Sequence, residues 1–340
     1  MTALQKVTDT AIVNVEYFSD TTIERFVASR HGSPNTCKTY RNTTMRIVKY
    51  FAVNGITQPT TADFDNFVNA LRTAGKSAST LRLYSTVGKL FFAFLEKQGI
   101  YRDVAKDAAP LKLRKSKTHN KKALTDEQAK KLLNAVKGNG LSNDLIVRRD
   151  RAIIALALCT GLRTCEISRA NVGDFNDAGD YWTLDVQGKG RLTKDETVKV
   201  AEPVAELINA YLALRGTVAE DEPLFISASH NVKWTANSYG RRLSEQSVGK
   251  MIRSYMIKAG IVKPAQKDKD GKIKRSPISA HSTRHYCATC AIKAGIDIRD
   301  VSSMLRHTSI VVTSTYLHDI SLETRKAELS VASSLFGSAA

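Results

Sequence analysis

Six side chains in the second half of this chain have the types and the order that phosphoryl chemistry needs: Arg163, Lys189, His281, Arg284, His307 and Tyr316. They supply two guanidiniums, an ammonium, two imidazoles and a phenol, a set able to attack a phosphodiester without a metal. Such a transesterification needs a nucleophile, stabilisation of charge on the two non-bridging oxygens, and a proton for the departing oxygen. Tyr316 is the candidate nucleophile; a phenol ordinarily titrates near 10, so neighbouring cations must favour phenolate as attack proceeds. Arg163 and Arg284 are assigned to the phosphate, because a planar guanidinium matches two phosphate oxygens as a lysine cannot. Each preorganised donor of this kind is worth roughly 3 to 4 kcal/mol in the transition state.

The proton transfers have candidates as well. Lys189 sits between Gly188 and Gly190, where a glycine turn can lower an ammonium towards the leaving oxygen as general acid, and Lys194 follows closely enough to compete for that role. His281 lies one helical turn before Arg284, on the same helix face, and an imidazole near 6.5 can take the phenolic proton at neutral pH. His307 is the candidate for a hydrogen bond to a non-bridging oxygen. Glu166, three residues beyond Arg163, would repel a phosphate and is read as a group that orients a histidine or an arginine. No acidic cluster suits a pair of magnesium ions, and no cofactor is expected. Cys159, Cys165, Cys287 and Cys290 could be set against zinc, but they lie in segments that read as buried helix, where free cysteine is common.

The elements that must position these groups read as mostly α-helix with a small antiparallel β-sheet. Residues 19 to 98 contain four amphipathic stripes, marked by Ile23, Phe26 and Val27; by Tyr40, Thr44, Ile47 and Phe51; by Phe64, Phe67, Val68 and Leu71; and by Leu83, Val87, Leu90, Phe91 and Phe94. Breaks fall at Gly32, Pro34, Asn54, Gly55, Pro59 and Gly75. Periodicity stops between Val104 and Ala123, where Lys106, Lys112, Arg114, Lys115, Lys117, Lys121 and Lys122 face one acid, Asp107. This basic linker, assigned to 104–122, is expected to touch phosphates, Lys115 and Lys117 included. Beyond it, Thr125 and Gln128 form a capping-box pattern, and an apolar helix from Ala152 to Cys159 must be buried on every side. Residues 181–186 and 196–200 read as a hairpin around the glycines at 188 and 190; helices resume at about 203–214, 245–259, 282–294 and 297–305. Arg241, Arg242, Lys250 and Arg253 surround a helix able to enter a DNA groove, although base and phosphate contacts look alike in a sequence.

The balance of 51 Lys and Arg against 33 Asp and Glu, a formal charge of +18, points to a polyanionic partner, nucleic acid first. Solubility through net charge is the other reading. No apolar run approaches the roughly 20 residues of a membrane helix, and the amino terminus lacks a signal pattern, so a cytoplasmic protein with no membrane partner is expected.

The stretch Ala280-His-Ser-Thr-Arg-His-Tyr286, followed by Met304-Leu-Arg-His307 and Tyr316, resembles the signature of the tyrosine recombinases, or phage-integrase family. Thr160-Gly-Leu-Arg-Thr-Cys-Glu166 is similar to the segment holding that family's first catalytic arginine, and Gly188-Lys-Gly190 to the turn holding its lysine, which favours Lys189 over Lys194. The resemblance covers roughly residues 17 to 325. It implies a helical core-binding (SAM-like) domain at 17–103, a catalytic domain at 123–325, and a tail at 326–340. It implies further a two-domain, Xer-like or mobile-element enzyme that cuts duplex DNA at an inverted-repeat core site through a 3′-phosphotyrosyl intermediate and a Holliday junction, as a homotetramer. An accessory DNA-bending or directionality protein would be a further partner, and the extra amino-terminal arm domain of some integrases is not expected. A type IB topoisomerase shares the chemistry, and a catalytically silent DNA-binding regulator shares the fold. The apolar tail, with Leu322, Leu329, Val331, Leu335 and Phe336, can dock on a neighbouring subunit or fold back on its own; both stay open. One departure is visible: Arg306 stands where the family usually has glycine, which puts the local backbone in question and suggests an added phosphate contact.

Overall fold

Four hydroxyl side chains start the first four helices. Ser19, Ser33, Thr60 and Ser77 each accept a hydrogen bond from a backbone N–H in the first turn of α1 (Asp20–Ala28), α2 (Pro34–Val53), α3 (Thr61–Thr73) and α4 (Ala78–Lys97). Asp63 completes a capping box by accepting from the Thr60 N–H at 2.8 Å, and Pro34 occupies the first turn of α2, where its missing N–H costs nothing. The computed structural model describes residues 18–111, 122–136, 144–188, 190–191, 193–228, 240–265, 276–307, 309–310 and 313–314. Lys115, Lys117, Lys189, Tyr316 and the tail at 326–340 lie outside these residues, as does most of the linker. The chain divides into two compact units between Ser116 and Lys117.

The first unit is held by aromatic packing. Phe26, Phe51, Phe64, Phe91 and Phe92 are fully buried, and Phe26–Phe91, Phe51–Phe92 and Phe64–Phe92 meet with ring centroids 5.2, 6.3 and 6.0 Å apart. Edge contacts of this kind add about 0.5–1.5 kcal/mol beyond the area buried. The four expected stripes are the four helices. Tyr40, Leu83 and Leu90 pack at the margin of the core rather than inside it.

The second unit is built around α6 (Leu145–Thr160), which is buried on every side from Ala152 to Leu158. Cys159 is the exception, exposed at the last turn. Against α6 pack α5 (Asp126–Asn134), α8 (Glu202–Arg215), α9 (Glu245–Lys258) and α10 (His281–Lys293), while α7 (Thr164–Arg169) packs on α9 and α11 (Ile298–Met304) on α10. Thr125 and Gln128 form the capping box of α5. The sheet runs β1 (Phe175–Asp177), β2 (Trp182–Val186), β3 (Glu196–Val200), all antiparallel, with Leu184 facing Val198 and Phe175 facing Leu184. Leu184, Val186, Val198 and Val200 alternate onto the core face, as the two-residue period of a strand requires. Strand β1 was not expected, because three residues with a polar pair carry no pattern; its Phe175 ring stacks on Trp182 at 4.7 Å.

Gly88 in α4 is a test of the first core. Alanine at an exposed helix position is worth about 1 kcal/mol over glycine. Here an added Cβ would land on the Phe64 ring. Gly88→Ala should therefore destabilise, by roughly 1–3 kcal/mol. In urea unfolding followed by far-UV circular dichroism the first transition should move to lower urea; a shift to higher urea would mean that Phe64 swings aside freely.

Candidate active site

The site is assembled where two helices end and two others begin. Helix α6 stops at Gly161, whose φ of +63° is the left-handed cap that glycine adopts without strain. The chain then extends through Leu162 to Arg163, which caps α7 with φ −74° and ψ 152°. Glu166, one turn into α7, reaches back: its Oε2 accepts the Arg163 backbone N–H at 2.8 Å and its Oε1 accepts Nη1 of the same residue at 2.7 Å.

Arg284 comes from the first turn of α10 and is only 1% exposed. Its Nη1 donates to the Gly161 carbonyl at 2.7 Å, and its Nη2 donates to the Leu305 carbonyl. Both acceptors cap helices, α6 and α11, whose carboxyl ends leave carbonyls without intrahelical partners and carry partial negative charge. A buried guanidinium needs such acceptors.

The end of α11 is the other half of the site. The Arg306 N–H donates to Ser303 O at 2.8 Å and the His307 N–H to Ser302 O at 3.0 Å, the paired bonds of a Schellman cap. Arg306 holds the left-handed position with φ +54°, the position in that cap that is usually glycine. Its carbonyl accepts from Arg163 Nη2 at 3.2 Å. Arg163 and Arg284 are therefore bonded to consecutive carbonyls of one turn, and His307 is the next residue. The His307 Nδ1 lies 2.7 Å from Thr313 Oγ1. Burial, then the charges of Arg284, Arg163, His281 and Arg306, push His307 down to about 4. It is neutral at physiological pH.

His281 opens α10 at the exposed end, its ring 5.0 Å from that of His285 and nearly perpendicular to it. Of the six proposed residues, Arg163, Arg284 and His307 are brought together by direct bonds to one turn, and the charge of His281 is felt at His307. Lys189 and Tyr316 lie outside the described residues. Its rival Lys194 is committed elsewhere: Nζ sits 2.6 and 2.7 Å from the two carboxylate oxygens of Asp174.

Sequence reasoning missed four partners. Thr313 carried no motif of its own. The carbonyls of Gly161, Leu305 and Arg306 are backbone groups and leave no trace in residue type. The phosphate contact suggested for Arg306 is not what the geometry gives: its side chain is 7% exposed and pairs with Glu166 at 2.9 Å and Glu196 at 3.6 Å. Arg241, Arg242 and Lys250 are exposed and Arg253 is half-buried; the Arg242 guanidinium donates to Ser168 O and Ala170 O at 3.0 Å each and to Asn171 Oδ1 at 2.6 Å. Among the described residues no group of three or more His, Cys, Asp or Glu is arranged to hold an ion, and no helix is long and apolar enough to cross a membrane.

Residues 122–322 match the model of the phage integrase family, and residues 23–99 that of the phage integrase N-terminal SAM-like domain. Curated relatives include the tyrosine recombinase XerD of Bifidobacterium longum, 29% identical over 288 residues that cover 83% of this chain and 86% of the relative. The tyrosine recombinase XerA of Pyrococcus furiosus is 28% identical over 277 residues, covering 80% and 82%. The fold is similar to that of the XerH site-specific recombinase bound to palindromic difH substrate in a post-cleavage complex, with a TM-score of 0.64 at 21% identity over 92% of this chain and 84% of that one. It is also similar to a lambda integrase tetramer bound to a Holliday junction, with a TM-score of 0.59 at 17% identity over 87% and 75%. Matched by that family's model over more than half its length, with two arginines and a histidine gathered at one turn, the chain belongs to the phage integrase family of tyrosine recombinases, DNA strand-transfer enzymes of site-specific recombination.

Proposed function

We propose that this chain cuts and rejoins duplex DNA at an inverted-repeat core site, with Tyr316 as the nucleophile. The observation that carries this reading is the pair of guanidiniums bonded to the consecutive carbonyls of Leu305 and Arg306, immediately before His307. Arg163 and Arg284 grip the non-bridging oxygens of the scissile phosphate. His307 adds a third donor: with the Thr313 hydroxyl donating to Nδ1, the neutral ring keeps its proton on Nε2 and presents it to the phosphate. The phenolic oxygen of Tyr316 attacks phosphorus, His281 takes the phenolic proton, and the bond to the 5′ oxygen breaks as Lys189 protonates it. The product is a 3′-phosphotyrosyl linkage, which stores the bond for rejoining, so neither ATP nor a cofactor enters. The engagement of Lys194 with Asp174 supports Lys189 as the acid.

Four copies of the chain act on two sites and exchange strands through a Holliday junction. The Xer tyrosine recombinases among the relatives, and the XerH and lambda integrase complexes with a difH substrate and a Holliday junction, support this reading. The helical domain is assigned to 17–103, the linker to 104–122, the catalytic domain to 123–325 and the tail to 326–340. Lys115, Lys117, Arg241, Arg242, Lys250 and Arg253 contact DNA, and Arg242 also holds the end of α7. The protein works in the cytoplasm of a bacterial or phage-infected cell, on a mobile element or in resolving DNA.

Covalent capture tests the reading. The protein is mixed with nicked duplexes carrying randomised inverted repeats, denatured in detergent, and the attached DNA sequenced. Attachment that requires Tyr316, is lost in Tyr316→Phe and enriches one repeat is the expected result. Tight binding with no tyrosine-dependent adduct would make the chain a silent DNA-binding relative, and relaxation of unrelated supercoiled plasmid would make it topoisomerase-like. On the enriched duplex, Arg163→Ala should slow attachment by roughly 10²- to 10³-fold.

The acid side of stability follows from His307. Its folded value, about 4, lies below the 6.5 of the unfolded chain, so the unfolded state takes up a proton that the folded state declines. The stability it contributes is fully present above about 6.5 and is lost as pH falls towards 4. Urea midpoints between pH 7 and pH 5 should therefore fall more steeply for the wild type than for His307→Asn. Parallel slopes would place the imidazole in water.

A further inference from the structure

Glu166 is completely buried, and a buried carboxylate persists only when charges and donors surround it. Two of its three partners belong to Arg163: the backbone N–H on Oε2 and Nη1 on Oε1. The third is Arg306 Nη2, on Oε2 at 2.9 Å. Burial alone would raise the Glu166 carboxyl. The Arg306 charge leads the opposing effects, ahead of the bonds from Arg163, and together they hold it below the ordinary carboxylate range.

Arg306 occupies a position that favours glycine, with φ +54° in the Schellman cap of α11. An arginine there is strained unless its side chain returns something. Every polar contact recorded for that side chain is internal: Met304 O on Nη1, Glu166 on Nη2, and Glu196 of β3 3.6 Å from Nε. From one residue, then, the backbone carbonyl holds Arg163 Nη2 while the side chain holds the carboxylate that grips Arg163 Nη1. The Arg163 guanidinium is fixed at both terminal nitrogens, one by the Arg306 carbonyl and the other by the carboxylate that Arg306 helps to hold.

We infer that Arg306 is a positioning residue for strand cleavage, which keeps Glu166 charged and in place and so sets the plane of the Arg163 guanidinium against the scissile phosphate. The inference rests on the recombinase reading for the role of Arg163. It also assigns Arg306 a part that glycine, the family's usual residue here, cannot play. The contact with Glu196 ties the same turn to the strand that follows the Lys189 loop.

The test separates chemistry from binding. Single-turnover attachment to the captured duplex is measured at saturating DNA, beside affinity for the same duplex, for the wild type, Arg306→Gly, Arg306→Gln, Arg306→Lys, Glu166→Gln and the double variant Glu166→Gln with Arg306→Gly. Arg306→Gly relieves the backbone and Arg306→Gln keeps the bulk, so both failing for unrelated reasons of folding is guarded against by their opposite strain. Each should slow attachment by roughly tenfold to hundredfold while affinity changes less than about twofold, since a misplaced group costs rate before binding. Arg306→Lys, which keeps the charge, should recover most of the rate, and the double variant should be no slower than Glu166→Gln alone. A wild-type rate in Arg306→Gly and Arg306→Gln, or losses that simply multiply in the double variant, would overturn the inference.

A second measurement needs no DNA. The guanidinium nitrogen resonances of Arg163, assigned by their loss in Arg163→Lys, should be resolved for each Nη in the wild type and merge in Arg306→Gln as the side chain is released. Resonances that stay resolved in Arg306→Gln would overturn the inference on this ground alone. A wild type that forms no Tyr316-dependent adduct would sink the recombinase reading, and these spectra would still decide whether Arg306 holds Arg163.

Discussion

The turn that ends α11 is the constraint on which the site depends. A helix that stops leaves its last carbonyls without intrahelical partners, and side chains, water or a tightened last turn can take them. Here the carbonyls of Leu305 and Arg306 take the guanidiniums of Arg284 and Arg163. One backbone turn thereby fixes two side chains that lie more than a hundred residues apart in the chain, and it delivers His307 at its exit. The dipole of α11, and that of α6 through Gly161, place negative partial charge beside cations that burial would otherwise expel. Gly161 is required twice over: its φ of +63° suits glycine, and an added Cβ would come within 2.7 Å of Leu305 Cδ2, pushing apart the two caps that hold Arg284.

This arrangement decides protonation states as well as positions. Burial first, and then three guanidiniums around one imidazole, make a further cation unfavourable, so His307 stays neutral and able to donate from one nitrogen while accepting at the other. A phosphate entering the site would relieve that repulsion. The same field favours phenolate at an approaching tyrosine, since each positive charge lowers the cost of taking the phenolic proton away.

Much of the fold could be read in the sequence because its causes are local. Thr125 and Gln128 announce a helix start by chemistry that acts within one turn, and the aromatic stripes announce which faces are buried. Motif order singled out Arg163, Arg284 and His307, and the fold brings the three to one turn. Strand β1 was not legible, because it exists only by pairing with β2. Arg306 was misread as a phosphate contact for a related reason. Its charge suggested an outward role, while the carboxylate that claims it lies 140 positions away in the chain, a distance no local pattern bridges.

The acid in the middle of these cations sets the strength of the site. With no carboxylate, burying Arg163, Arg284 and Arg306 together would rest on carbonyl dipoles alone, and mutual repulsion would favour a turned-out arginine. With a second carboxylate as deep as Glu166, the field would be nearly cancelled and a phosphate would gain little by entering. Glu196, 31% exposed and 3.6 Å from Arg306, is too far and too wet to do that. One fully buried acid among three arginines leaves a net positive site whose geometry is still pinned, which is what a reaction that gathers negative charge on phosphorus-bound oxygens requires.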